Sequence, residues 1–172
     1  MRRLRTSQRV LLSLGLVWLF SVGSSCKELR SNSTTQSRIQ YLRGVKKTNL
    51  PQLCSEKPSN QQQLVMFASQ YCTHCHRMMD ALQKERAKLK AMNIGLVVMW
   101  TDLPNCIKAR MAGAHYPAWS YGRASAFEQQ SWAVEATPVV YLLKQGRPVL
   151  RIDGACSEKK LLAVVKQALR QR

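Results

Sequence analysis

The chain has 172 residues, room for one compact domain with a tail but not for two full-sized cores. Hydrophobic residues make up 45% and charged residues 21%, which excludes a disordered polymer, and 8 glycines with 6 prolines exclude a collagen-like repeat. Lys and Arg number 27 against 9 Asp and Glu, so the formal charge is +18 and the surface is strongly cationic.

Arg2, Arg3, Arg5 and Arg9 precede an uncharged run, Val10 to Phe20, whose 11 residues are too few to cross a bilayer. Small residues follow at Ser21, Gly23, Ser24 and Ser25. A basic start, a short apolar stretch and a small-residue exit are signal-peptide anatomy, so residues 1–25 read as an export signal. Cleavage before Cys26 leaves either an ordinary exported N-terminus or a lipid-modified Cys26 anchored in a membrane, although Gly23 stands where a lipobox carries a bulky aliphatic residue. Removing four arginines from +18 leaves +14, so the mature chain stays basic. Export sets nucleic acid aside as a partner. The run Lys84, Arg86, Lys88, Lys90, without aromatic platforms for bases, reads as a solvated helix face, and attraction to membranes or acidic partners stays open.

From Cys26 to Gln61 the chain is rich in Ser, Thr, Asn and Gln, with short apolar groups at Ile39, Tyr41, Leu42 and Val45, as in a tether or loosely docked arm. Leu64 to Ala68 is a continuous apolar run, as expected of a strand buried on both faces. A helical pattern follows, with Cys75, Met78, Met79, Leu82 and Leu89 on one side, and Asn93 ends it. Ile94 to Trp100 is a second buried strand, which makes a βαβ unit and a partly parallel sheet. An irregular or helical insertion is expected next: Leu103 to Tyr121 is marked by Pro and Gly, and Ala124 to Ala133 resembles a helix presenting Phe127 and Trp132. Val139 to Leu143 and Val149 to Asp153 form a hairpin about Gln145-Gly146, the second strand alternating like an edge strand. Ser157 caps a final helix with Leu161, Leu162, Val164, Val165, Ala168 and Leu169 at helical spacing.

Cys72-Thr73-His74-Cys75 sits where the first strand gives way to its helix. Exposed N–H groups and the helix dipole favour an anion there, so Cys72 is stabilised as thiolate and becomes the nucleophile. Two intervening residues let Cys75 reach back and resolve a mixed disulfide at Cys72. His74, when protonated, stabilises the thiolate further, which makes the disulfide a better oxidant.

This order of strand, Cys-x-x-Cys helix start, and Ala136-Thr137-Pro138-Val139-Val140 before a hairpin and last helix resembles the thioredoxin fold over about Gln62 to Arg172. The resemblance implies an α/β domain with a central mixed sheet flanked by helices and an insertion before the hairpin. It also implies a cis peptide before Pro138, with the backbone at Thr137 docking an extended substrate beside the dithiol. His74 is similar to the residue of oxidising DsbA and protein disulfide isomerase, and Thr137 to that of DsbC. Met66 stands where cytoplasmic thioredoxins bury an Asp. The exported, tethered layout also resembles TrbB-like isomerases of conjugative pilus assembly.

The implied protein is a periplasmic or otherwise extracytoplasmic thiol–disulfide oxidoreductase that introduces or rearranges disulfides in cysteine-containing exported proteins, such as those of a conjugation or secretion apparatus. It needs no bound cofactor or metal, and its redox partner is a membrane protein, DsbD-like or DsbB-like. Two alternatives stand beside it. One is a tethered TlpA-like reductase of cytochrome maturation. The other reads Cys72-Thr73-His74-Cys75-His76 as the C-x-x-C-H of a c-type haem, with His76 as proximal ligand and Met92, Met99 or Met111 as distal ligand. Zinc would need Cys54, Cys106 and His115 recruited singly. Cys26, Cys54, Cys106 and Cys156, taken as four, allow three pairings, and the sequence does not choose.

Overall fold

The structure, a computed structural model, describes residues 37–43, 46, 50–51, 53–55, 62–117 and 119–171. The expected signal peptide 1–25 and Cys26 lie outside them. The elements in chain order are β1 (Arg38–Tyr41), β2 (Gln62–Ala68), α1 (Thr73–Lys84), α2 (Arg86–Ala91), β3 (Ile94–Trp100), α3 (Cys106–Gly113), β4 (Ser120–Arg123), α4 (Ala126–Ser131), β5 (Val139–Lys144), β6 (Arg147–Asp153) and α5 (Glu158–Arg170). Six strands make one mixed sheet in the order β1-β6-β5-β2-β3-β4.

β2 and β3 lie parallel, from Gln62 opposite Ile94 to Ala68 opposite Trp100, and β5 returns antiparallel beside β2. Both central strands are covered on both sides, which is why their sequences are unbroken apolar runs. Leu64, Met66, Leu96, Val98 and Trp100 face a layer in which α1, α2 and α5 bury Met78, Met79, Leu82, Leu89, Leu161 and Val165. Val65, Phe67, Val97, Met99 and Tyr141 face the other way, onto Trp132 and onto Leu42, Leu50 and Leu53 of the N-terminal arm. This is the α/β arrangement that the sequence implies.

Four local expectations are corrected. β6 is not an edge strand, because Arg38 to Tyr41 pairs with Asp153 to Leu150 along its outer side. The segment expected to be an irregular or helical insertion contains a strand as well as two helices: β4 extends the sheet beyond β3. Ser-Tyr-Gly-Arg has no apolar alternation of its own and is held by its pairing to β3 and by the bridge from Leu53 to Gly122. The helix after the dithiol is divided at Glu85 into α1 and α2, although Leu82 and Leu89 still share the buried face. Trp132, the C-cap of α4, is buried as expected, but Phe127 within the helix points to solvent.

The arm is also fixed covalently. Cys54 is bonded to Cys106 at the start of α3, Cys54 and Ser55 donate their N–H groups to the Tyr121 carbonyl, and Cys156 is a half-buried free thiol. Burial pushes the Cys156 thiol pKa up. The Cys54–Cys106 bridge spans 52 positions, so opening it releases a long loop of the unfolded chain. Cys54→Ala/Cys106→Ala is expected to lose about 2–4 kcal/mol of stability, read as a lower urea midpoint with a slope equal to or steeper than the parent's, because the unfolded chain is less constrained. A midpoint equal to that of the parent would show that hydrogen bonds and Leu53 hold the arm without the bridge.

Tyr116 and Trp119 are pinned to α1 by two hydrogen bonds, Tyr116 Oη donating to Asp80 at 3.1 Å and Trp119 Nε1 donating to Gln83 at 3.0 Å. Burial, and then the Asp80 carboxylate, push the Tyr116 pKa from its usual 10.0 to about 12. Between those values the unfolded chain has lost a proton that the folded chain keeps, so stability falls as pH rises through this window. Tyr116→Phe is expected to make that alkaline decline shallower in unfolding curves taken at stepped pH. Identical declines would remove Tyr116 from the titration.

Candidate active site

β2 ends at Ala68, the chain turns through Ser69 to Tyr71, and Cys72 is the N-cap of α1. Its backbone is extended (φ −86°, ψ 101°), and its Sγ accepts the Cys75 N–H at 3.1 Å. That is the position from which a side chain satisfies a helix's first free donors, occupied here by sulfur. The first turn of α1 carries no acidic residue, so no carboxylate of the helix itself opposes a thiolate there. Cys72 and Cys75 form a disulfide. Cys72 is half-buried and Cys75 is fully buried, so an incoming sulfur meets Cys72 first. His74 is exposed in the same turn.

The turn before the dithiol is held by a residue that the sequence reading did not single out. Asp102, two residues past the end of β3, accepts the Gln70 N–H through both carboxylate oxygens (3.1 and 2.9 Å) and the Ser69 hydroxyl at 2.7 Å. Beside it, Thr101 donates its N–H to the Ala68 carbonyl at 2.9 Å. The signal that could have found Asp102 is the parallel register itself, since the residues following two adjacent parallel strands emerge side by side. His76 is also tied to this turn, its Nε2 lying 2.8 Å from the Gln70 carbonyl oxygen.

The peptide between Thr137 and Pro138 is cis, and the Thr137 carbonyl oxygen lies 3.6 Å from Cys72 Sγ, so residues 65 positions apart in sequence meet at the dithiol. Pro138 is buried and Thr137 half-buried. Gly154, at φ 80°, turns the chain out of β6 and donates its N–H to the Pro138 carbonyl at 2.8 Å, a left-handed conformation that suits glycine. The segment leading to Thr137 is braced from below. Tyr141 donates its hydroxyl to the Trp132 carbonyl, while Arg151 donates to Tyr141, to the Ala133 carbonyl and to Asp153, each at 2.8 Å. Burial, the first cause, raises the Tyr141 pKa.

Cys72, Cys75, Thr137 and Pro138 are thus brought together, with His74 at the rim. Two open cavities flank them. One, of about 600 Å³, is lined by Tyr71, His76, Asp102, Leu103 and Met111 among others. The second, of about 550 Å³, runs past Thr137, Pro138, Glu135 and Arg151. The residues of the rival readings are engaged otherwise: His76 faces the Gln70 carbonyl, and Cys54 and Cys106 are bonded to each other. Among the described residues, no three of His, Cys, Asp and Glu gather where they could hold a metal.

Comparison with known proteins agrees with this fold. Solved structures of similar shape include a thiol-disulfide isomerase from Corynebacterium glutamicum (TM-score 0.61, 12% identity, 76% of this chain and 100% of that one). A secreted thiol-disulfide isomerase from the same organism has TM-score 0.59 and 14% identity over 77% of this chain and 92% of its own. A secreted Mycobacterium tuberculosis disulfide oxidoreductase homologous to E. coli DsbE has TM-score 0.50 and 14% identity over 62% and 81%. Identities this low speak to the fold alone. No curated protein matches the sequence significantly. The family model of the thioredoxin-like domain matches residues 54–169, from the bridged cysteine of the arm to the last turn of α5, and the chain belongs to that family.

Proposed function

We propose that the protein is an extracytoplasmic thiol–disulfide oxidoreductase that forms or rearranges disulfides in exported proteins. The observation that carries this reading is a cysteine sulfur at a helix N-cap, 3.6 Å from the carbonyl of the residue before a cis-proline. In rearrangement the Cys72 thiolate attacks a substrate disulfide and one substrate sulfur leaves as thiolate. That thiolate attacks a second substrate disulfide, and the thiolate freed there attacks the substrate sulfur held by Cys72, forming a new substrate disulfide and expelling Cys72 as thiolate. In oxidation a substrate thiolate attacks the Cys72–Cys75 disulfide, and a second substrate thiolate displaces Cys72. The substrate gains a disulfide, and Cys72 and Cys75 are left as two thiols. A membrane redox partner reoxidises the pair after oxidation if it is DsbB-like, or keeps both cysteines reduced for rearrangement if it is DsbD-like.

The extended strip past Thr137, with a cavity on each side, suits a polypeptide substrate better than a small thiol. Buried Met66 supplies no carboxylate to take a proton from Cys75, and His74 favours the thiolate; both argue against a general reductant. Within this reading belong the likeness to DsbC- and TrbB-like isomerases, substrates in a conjugation or secretion apparatus, and a lipid anchor at Cys26. The solved relatives include thiol-disulfide isomerases and a DsbE homologue, which keeps a TlpA-like reductase as the second reading.

The test is a refolding assay on a substrate with scrambled disulfides beside an insulin-reduction assay, together with the reduction potential. Faster refolding and a potential near about −180 to −120 mV are expected. A potential near about −270 mV with strong insulin reduction would instead identify a reductase.

A further inference from the structure

The two ends of the sheet differ in how their charges are balanced. At the dithiol end, where β2 and β3 finish, the carboxylates Asp102, Glu135, Asp153 (opposite Val139) and Glu128 lie among the cations Arg38, Arg123, Arg151, Lys108 and Arg110, and Asp153 is paired with Arg151. The opposite end is where β2 and β3 begin, with Gln62 opposite both Ile94 and Lys144. α2 closes there, carrying Arg86, Lys88 and Lys90, and the β5–β6 turn adds Lys144 and Arg147. α5 points the same way: Lys160 near its start bonds Ser37, just before Arg38 opposite Asp153. Gln167 near its end bonds Tyr41, opposite Leu150, so Arg170 follows at the far end. Arg86, Lys88, Lys90, Lys144, Arg147 and Arg170 are exposed or half-buried.

Few carboxylates offset them. Asp80 is held by Tyr116 partway along α1, and Glu158 pairs with Lys84. Among the described residues only Glu85 remains at this end, and it pairs with Lys88 at 2.6 Å. The cationic end has no apolar anchor either. The exposed large hydrophobic residues among those described are Tyr71, Ile107, Met111 and Phe127, which sit by the dithiol turn or on the two helices that follow the ends of β3 and β4. A protein interface is centred on buried aromatic or aliphatic anchors, and a single-strand nucleic-acid groove on stacking rings. Long cationic side chains spread over a surface without either match a diffuse field of negative charge, such as anionic lipid headgroups.

We propose that the end of the domain formed by α2, the β5–β6 turn and the end of α5 docks on an anionic phospholipid surface and holds the dithiol toward the aqueous side. The proposal stands apart from the exchange chemistry, since vesicle binding is read on the protein whatever its activity.

The test uses the chain from Cys26 onward without acyl modification, which contains the whole compact unit Ser33–Arg172. It is sedimented with vesicles of phosphatidylcholine plus phosphatidylglycerol and with vesicles of phosphatidylcholine alone. Binding is expected on the anionic vesicles and is expected to weaken as salt is raised. Lys90→Glu/Arg147→Glu is expected to lower that binding by about tenfold or more. Lys108→Glu/Arg110→Glu, which makes the same change in net charge on α3, is expected to leave most of it. Cys72 of the bound, reduced protein stays open to a water-soluble alkylating agent. Equal losses in the two double variants, equal binding to both vesicles, protection of Cys72 on the vesicles, or tighter binding to DNA than to anionic vesicles at equal salt would each overturn the proposal.

Discussion

Cys72→Ser is expected to reduce disulfide exchange to the uncatalysed background while leaving the fold intact. Serine is among the best N-cap residues, so its hydroxyl can take over the Cys75 N–H that Cys72 Sγ accepts at 3.1 Å, and α1 keeps its start. What disappears is the only atom at that point able to form and break a sulfur–sulfur bond. Cys75→Ala is expected to act differently. Cys75 is fully buried, and alanine adds no polar atom to an apolar site. Cys72 then attacks but cannot be released from within, so protein–substrate adducts accumulate on non-reducing gels and vanish with reductant. Exchange activity surviving in Cys72→Ser, or adducts absent from Cys75→Ala, would refute the assigned roles of the two sulfurs.

Phe67→Ala is expected to remove about 3–5 kcal/mol, a large part of the roughly 5–15 kcal/mol that holds a domain of this kind together. Phe67 is fully buried in β2, one residue from the end of the strand. Its ring centroid lies 5.4 Å from that of Trp132 and 6.1 Å from that of Tyr141. Trp132 and Tyr141 stand edge to face at 5.0 Å and are joined by the hydrogen bond from Tyr141 to the Trp132 carbonyl. A hole at Phe67 therefore loosens the packing that positions the Thr137 segment over the dithiol, and activity is expected to decline with stability. Urea unfolding measures the loss, and Phe67→Leu, nearer in volume, is expected to cost less than about 1.5 kcal/mol. A loss below about 1 kcal/mol in Phe67→Ala would mean that the arm and Trp132 collapse into the space.

The central strands and the dithiol were legible because each is determined locally. An unbroken apolar run of five to seven residues bounded by polar ones is too short for a buried helix and fits a strand covered on both sides, as in Leu64 to Ala68 and Ile94 to Trp100. A Cys-x-x-Cys after such a run falls at a helix start by connectivity alone. The last helix was legible for a similar reason, since Ser157 caps it and its buried residues recur with the helical period. β4 was not legible, because Ser120 to Arg123 is a strand only while β3 offers it hydrogen bonds. β1 escaped for the same reason, and with it the covered side of β6.

By itself, the sequence determined that a reactive cysteine pair opens a helix behind a buried strand and that a Thr-Pro peptide precedes a hairpin, since such features depend on neighbours within a few residues. Tertiary structure alone decided that Thr137 O comes to 3.6 Å from Cys72 Sγ, that Asp102 holds the dithiol turn, and that Cys54 is bonded to Cys106. It also gathered Lys90, Arg147 and Arg170 at one end of the sheet. Each of these joins residues far apart in the chain, and which distant groups meet is decided by strand order and helix direction, quantities that no short stretch of residues encodes.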